Sequence, residues 1–356
     1  VGFRAAYAYR LSGAVGMTGA LQVWLLSDGV PGHVNQARGL MYWMAKHQAL
    51  KVKEIPLRLR AGVISRQILP VWTRRSRDPL RTLDWAYAID YPTDPPDLVV
   101  SAGGNTAFAN VLLQRRFGVP NIFIGSGRRL GGDVFSAHLP LEPTGGGTNV
   151  VMTLSPSNVD ALEVAEAGRS WRQETVSWDK QLFCLACGGN GAGVRYRVQD
   201  WTSLGVWMTR IASELDIRWL VSTSRRTTSA GELALRAAIE PTALEYAVWW
   251  HQNPEPIFHK LLGAADCNFV THDSMSMINE CISTERPLVV IESGRGGPDI
   301  RFNNVLEKFT RLGFCRRLQV GADFDRVPRL SAPASDYHNS LVKEILGMLS
   351  ISSARG

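Results

Sequence analysis

Short apolar runs alternate with stretches of helical periodicity along most of the chain. LQVWLL (21–26), DLVVSA (97–102) and NIFIG (121–125) read as buried strands. Residues 35–47 place Ala37, Leu40, Met41 and Met44 on one helical face, and a second helix is predicted over 106–117. After the Gly-rich GGGTNVVMT the pattern restarts near Val150. Strands are then predicted at 182–189, 217–224, 246–250, at NFVTH (268–272) and at LVVIE (288–292). Helices are predicted over 198–215, 231–239 and 255–265, around Glu280, and over 337–349. Such alternation predicts parallel sheets covered by helices on both faces. Two such sets predict an α/β protein of two Rossmann-like, doubly wound domains facing across a cleft.

The expected boundaries are a leader of uncertain origin over 1–20, a first domain over 21–175 and a second over 176–330. The polar stretch GRSWRQETVSWDK is the expected join, and the segment 331–356 is expected to pack back on the first domain. The first sixteen residues lack a continuous apolar core and a cleavage site, so no signal peptide is expected; Met17 stands just before the first strand.

Composition adds little to the fold and more to the surroundings. The 356 residues are 45% hydrophobic and 20% charged, ordinary values for a globular protein, without the uninterrupted apolar stretch that a spanning helix needs. Five scattered Cys are an odd number, which points to a reducing compartment and a cytoplasmic location. Cys184 and Cys187 form a CxxC on a predicted strand, where residues three apart face opposite ways, so packing is expected rather than redox or zinc chemistry. Much of the excess behind the net charge of +7 lies in Arg58, Arg60, Arg66, Arg74, Arg75, Arg77 and Arg81, against Asp78 alone, with Trp72 inside the segment and Trp85 just beyond it. That mixture suits either a solvated face or peripheral contact, through 58–85, with the cytoplasmic face of an anionic membrane or with a phosphorylated acceptor. No nucleic-acid motif accompanies the charge.

Candidate chemistry gathers at predicted strand ends. THDSMSMINECISTERP (271–287) reads as strand end, Ser-bearing turn and short helix. Its helix N-terminus and hydroxyls suit an anion, and Glu280 follows one to two turns later, where a carboxylate accepts bonds from sugar hydroxyls. A diphosphate beside a diol describes a nucleoside diphosphate sugar. SDGVPGHVNQA (27–37) carries His33 at a helix start, read as a general base or as a capping residue. In SAGGNTAF (101–108), Asn105 and Thr106 cap a helix or bind a ligand. GGNGAGVRYR (188–197) is Gly-rich but lacks P-loop and GxGxxG spacing; Arg195 and Arg197 beside it suit a phosphate. ESGRGGPDIRFNN (292–304) adds Arg295, Arg301, Asn303 and Asn304. The DFD pair Asp323 and Asp325 reads as surface, and no metal site is expected.

SDGVPGHVNQARGL, DLVVSAGGNTAF, the CGGNG turn and VTHDSMSMINECISTERPLVVIE together resemble the Elm-type mitochondrial-fission family, related to GT-B glycosyltransferases of the MurG type. The resemblance runs from residue 21 nearly to the end, and its last motif is the most specific. It implies a metal-independent transfer of sugar, without a cofactor, from a nucleotide-sugar donor to a cell-envelope glycolipid or related acceptor. It implies a donor site at Gly188, Gly189, Asn190, Thr271, Asp273, Ser274, Met275, Ser276, Glu280 and Asn303, with Ser274 and Ser276 toward the diphosphate and Glu280 on the ribose. The acceptor side falls to Gly32, Asn35, Gly103, Gly104 and Asn105, with His33 as the catalytic residue. Gly104-Asn105-Thr106 departs from the Arg-rich continuation usual in the family. Two other activities fit the same fold: a membrane-associated, non-catalytic adaptor, as in plant members, and a nucleotide-sugar epimerase.

Overall fold

The computed structural model describes residues 6–9, 19–60, 62–127, 130–143, 147, 149–330 and 333–353; most of the expected leader lies outside them. The chain divides into two compact units, one formed by the chain up to Asn158 with the segment from Tyr337 onward, the other by Val159–Asp336.

The first unit contains β1 (Ala6–Tyr9), β2 (Leu21–Ser27), α1 (Pro31–Ala45), β3 (Leu50–Leu59), α2 (Gly62–Arg75), α3 (Pro79–Ala86), β4 (Tyr87–Ile89), β5 (Leu98–Ala102), α4 (Ala107–Phe117), β6 (Asn121–Ile124) and β7 (Ala137–Leu139). Its sheet runs in the order β1-β3-β2-β5-β6-β7, parallel except for β1 and β4, which both pair antiparallel with β3. Alternate residues of β2 feed two cores, as a strand's two-residue period requires. Val23 and Leu25 pack with Leu40, Met41 and Met44 of α1. Trp24 and Leu26 pack on the other face with Leu69 of α2, Leu83 of α3 and Phe108 of α4. Helix α4 stops at Gly118, whose φ of +67° is the left-handed conformation that ends a helix at little cost for glycine.

The second unit contains α5 (Ala161–Thr175), β8 (Leu182–Ala186), α6 (Val198–Leu215), β9 (Arg218–Ser222), α7 (Ser229–Ala238), β10 (Leu244–Val248), α8 (Phe258–Ala264), β11 (Cys267–Thr271), α9 (Met275–Ser283), β12 (Leu288–Glu292), α10 (Ile300–Arg311) and β13 (Arg316–Gln319). Its sheet is wholly parallel, in the order β10-β9-β8-β11-β12-β13. Every residue of β8 and β11 is buried, the mark of central strands covered on both faces. All five Cys are free and buried. Burial pushes the Cys187 thiol far above its usual range, with Asp273 adding to the effect.

The division does not fall in the stretch expected to join the domains. Much of that stretch is the C-terminal half of α5, which Asp160 starts by accepting from the amides of Leu162 and Glu163. Its buried stripe is only Val164, Gly168 and Trp171, so the helix reads as polar. Gly168 packs directly on Gly263 of α8, leaving no room for a Cβ on either side. The last helix, α11 (Ala334–Ser353), contributes Leu341, Val342 and Ile345 to the α1 core of the first unit.

Both chain paths reverse direction beside their first long parallel strand. From β2 the chain goes to β3 on one side and later to β5 on the other; from β8 it goes to β9 and later to β11. In open α/β sheets, the crevice beyond the strand ends at such a reversal is where ligands bind.

Candidate functional site

The reversal point of the second sheet carries the CGGNG turn after β8 and the THDS turn after β11, joined by hydrogen bonds. Gly188 donates its amide to Thr271 Oγ1 at 2.7 Å, and Gly189 donates to Asp273 Oδ2 at 2.9 Å. The loop after β9 closes the turn from the other side: Ser224 and Thr227 hydroxyls donate to the Gly188 carbonyl at 2.6 and 2.8 Å. Arg226 places a guanidinium nitrogen 2.9 Å from Asp273 Oδ2 and donates a second bond to the Asp273 carbonyl at 3.3 Å. Gly189 adopts a φ of +144°, and a Cβ there would overlap the Arg226 carbonyl and stand 2.7 Å from the Thr227 amide.

Burial pushes the Asp273 carboxyl above the usual carboxylate range, against the pull of the Thr271 hydroxyl, Arg226 and the Gly189 amide. Burial, and then Asp273, push the Tyr196 hydroxyl 3.5 Å away well above its usual value. Thr271 and Asp273 were expected to meet the ligand. The Thr271 side chain is fully buried and Asp273 nearly so, both on the inside of the turn. They hold the Gly188–Gly189 turn in shape instead.

Beyond this turn stands the N-terminus of α9. Ser274 is its N-cap, in extended conformation, and makes no side-chain capping bond; its hydroxyl lies 3.2 Å from that of Ser276. The first-turn amides of a helix have no acceptor within it, and the helix dipole adds partial positive charge there. Met275 and Ser276 are half-buried at this end, Asn190 is exposed, and the Arg226 side chain is one-third exposed. Hydroxyls, free amides and a guanidinium thus share one edge of the unit, a donor set suited to phosphate oxygens. Asn190 Oδ1 is itself used, accepting the Tyr196 amide at 2.8 Å.

Glu280 follows on the second turn of α9, half-buried, with a carboxylate oxygen 3.5 Å from Nε2 of His259 on α8. The loops after β8 and β12 are tied by a two-bond bridge between Arg195 and Arg295, which brings these two exposed arginines together. Asn303 does not join the group. Its carbonyl oxygen accepts from Arg317 at 3.0 Å and its amide donates to Glu307 at 3.0 Å, so its side chain is committed to α10 and β13. Asp323 and Asp325 pair with Arg210 and Arg316.

The reversal point of the first sheet holds a pair that the sequence reading saw only by half. His33 lies in the first turn of α1, and its Nδ1 is 3.0 Å from Asp28 Oδ2 and 3.2 Å from Oδ1. Asp28 is nearly buried, at 4% side-chain exposure, while His33 is 37% exposed. Nε2 makes no hydrogen bond among the described residues. Asn105, in the turn after β5, donates to Asp28 Oδ2 at 3.4 Å and is held through its carbonyl by the Tyr87 hydroxyl at 2.7 Å. Gly103 has a φ of +84°, and a Cβ there would overlap the His33 ring. A carboxylate on Nδ1 fixes the tautomer that leaves Nε2 free to take a proton. Gly104 lies in this turn, while Gly32 and Asn35 lie in the first turns of α1; all three are half-buried. Asp28 was the residue missed: it stands in SDG, which reads as turn chemistry.

A family model described as "Mitochondrial fission ELM1" matches residues 31–338. The chain belongs to the mitochondrial fission ELM1 family. No curated protein matches it in sequence. Solved structures with the same two-sheet fold are glycosyltransferases of the GT-B type and epimerases. UDP-GlcNAc 2-epimerase from Methanocaldococcus jannaschii matches at 13% identity over 92% of this chain and 100% of its own, with a TM-score of 0.54. MurG from Acinetobacter baumannii matches at 14% identity over 92% and 91%, with a TM-score of 0.45. The calicheamicin glycosyltransferase CalG4 matches at 14% identity over 95% and 98%, with a TM-score of 0.47. At these identities the likeness is one of fold. No helix among the described residues of this family member is long and apolar enough to cross a membrane.

Proposed function

We propose that this ELM1-family protein is a metal-independent glycosyltransferase that moves a sugar from a nucleoside diphosphate to a hydroxyl of a cell-envelope glycolipid or related acceptor. The observation that carries the reading is the Asp28–His33 pair at the reversal point of the first sheet, where a partly exposed imidazole is oriented by a nearly buried carboxylate. An imidazole held in this way suits a general base. Nε2 of His33 takes the acceptor's hydroxyl proton as the acceptor oxygen bonds to the anomeric carbon. The bond from that carbon to the diphosphate breaks, and the electron pair leaves with the diphosphate. The α9 amides, the Ser274 and Ser276 hydroxyls and Arg226 are the groups suited to stabilise the departing oxygens, and Glu280 accepts from the ribose hydroxyls.

A thermal-shift panel of uridine, guanosine and cytidine diphosphate sugars tests the donor half, since a ligand at one hundred times its Kd adds about 2.7 kcal/mol of stability. At least one is expected to raise the unfolding midpoint, and Glu280→Ala to weaken it at least about tenfold, or 1.4 kcal/mol. Asp28→Asn tests the catalytic half. It is expected to leave that shift in place and to lower transfer about 10²- to 10⁴-fold, the contribution of a positioned base. Family membership supports a second reading, an adaptor in mitochondrial fission that binds no donor; the absence of a shift with any sugar nucleotide would favour it.

A further inference from the structure

Away from the strand ends, one surface of the first unit leaves large apolar groups in water. Helix α2 buries Leu69 and Thr73 completely. Ile68, Val71, Trp72 and Arg75, spaced as one helical stripe, all stay exposed, Val71 at 51% and Trp72 at 44%. Trp85 of α3 is also 44% exposed, and its ring meets that of Trp72 with centroids 5.0 Å apart. Trp250 is as exposed, at 45%, but Trp72 and Trp85 touch each other beside Ile68 and Val71 and so form a contiguous apolar patch, the kind of surface that marks an interaction site.

The surrounding charge says which occupant. Arg58, Arg60, Arg74, Arg75, Arg77 and Arg81 are exposed around the indoles, and the Arg60 amide bonds the carbonyl of Ala86, the chain neighbour of Trp85. Arg74 is paired with Asp133 and Arg81 with Asp78. No carboxylate among the described residues pairs with Arg58, Arg60, Arg75 or Arg77. Arg58, Leu59, Arg60 and Ala88 also line an open concavity beside them. Indoles favour the headgroup level of a bilayer, where the ring is apolar and the N–H stays wet. Unpaired arginines favour lipid phosphates.

We propose that this surface docks on an anionic phospholipid bilayer, with Trp72 and Trp85 seated among the headgroups and the unpaired arginines on lipid phosphates. The proposal is independent of the donor reading. Its test is flotation with vesicles of phosphatidylcholine alone and of phosphatidylcholine with phosphatidylglycerol. The protein is expected to float with the anionic vesicles only. Arg75→Ala/Arg77→Ala is expected to lower partitioning about twenty-five-fold, at roughly fivefold for each arginine near the surface. Brominated lipid in the anionic vesicles is expected to quench wild-type tryptophan fluorescence, and less in Trp72→Ala/Trp85→Ala. Arg75 and Arg77 are exposed, so their variant is expected to keep the wild-type melting midpoint, and the quenching of the wild type needs no variant. Equal flotation with neutral vesicles, no flotation, or wild-type partitioning by the arginine variant overturns the proposal. So does a dimer that forms without vesicles and is dispersed by the tryptophan variant, because the patch then serves a second copy of the chain.

Discussion

Replacing Gly189 by Ala probes the turn that shapes the anion-binding edge without deleting any proposed ligand-facing side chain. At a φ of +144°, an added Cβ would overlap the Arg226 carbonyl and come within 2.7 Å of the Thr227 amide. Both obstacles are backbone, so no rotamer change relieves them. Holding an L side chain in left-handed space costs about 1–2 kcal/mol, and forcing packed backbone aside costs about 1–3 kcal/mol more. The total is about 2–5 kcal/mol, borne by the second unit alone. For a unit of this size, each kcal/mol shifts the melting midpoint by about 2–4 °C, so a fall of about 4–20 °C is expected. The displaced loop also loses the amide bond from Gly189 to Asp273 and moves Arg226, so donor binding should fall with stability. Differential scanning calorimetry with and without donor reads both quantities. Gly297→Ala is the control, because nothing lies within 4 Å of a Cβ there and its φ carries no penalty. A Gly189→Ala protein that melts within about 2 °C of wild type and binds donor normally would refute the reasoning.

Burial lowers the pKa of His338 from 6.5 to about 4, so the folded chain leaves it neutral where the unfolded chain protonates it. The unfolded state therefore binds more protons between pH 6.5 and 4, and stability falls as the pH drops through that window, by about 3 kcal/mol in total. Urea titrations of wild type and His338→Gln at pH 7 and pH 4.5 are expected to show a smaller acid loss in the variant; equal losses would contradict it. Gly32→Ala, in the first turn of α1 with nothing within 4 Å of the added Cβ, is expected to stabilise the first unit by up to about 1 kcal/mol. A lowered urea midpoint would mean that this position is tighter than the structure shows.

The central strands were legible because burial on both faces leaves no polar alternation to confuse. β5, β8, β11 and β12 stand in the sequence as apolar runs. β3 went unread for the opposite reason: Lys51, Lys53 and Arg58 occupy its exposed positions and break the run. The C-terminal half of α5 reads as a polar join because a glycine, a valine and a tryptophan suffice to pack the helix on α8. At the site, the turn order around Ser274 and the position of Glu280 followed from local sequence alone. The Asp28–His33 contact did not, because it depends on the chain turning through Gly29 at a φ of +74°. The role of Arg226 depends on β9 lying beside β8, which no local motif encodes. Asp273 was misjudged because a carboxylate next to Ser274 looks exposed until tertiary packing closes over it.

α11 has a consequence for synthesis. Leu341, Val342 and Ile345 complete the core that α1 lays against the first sheet, and the Trp43 ring lies tilted against that of His338, with centroids 5.1 Å apart. Residues 159–336 are therefore translated before the first unit can close. A nascent chain emerging from the ribosome carries an open apolar groove along Leu40, Met41 and Met44 until the final helix arrives. The later-made unit can finish folding first, and the earlier one waits, a natural client for chaperones in the interval.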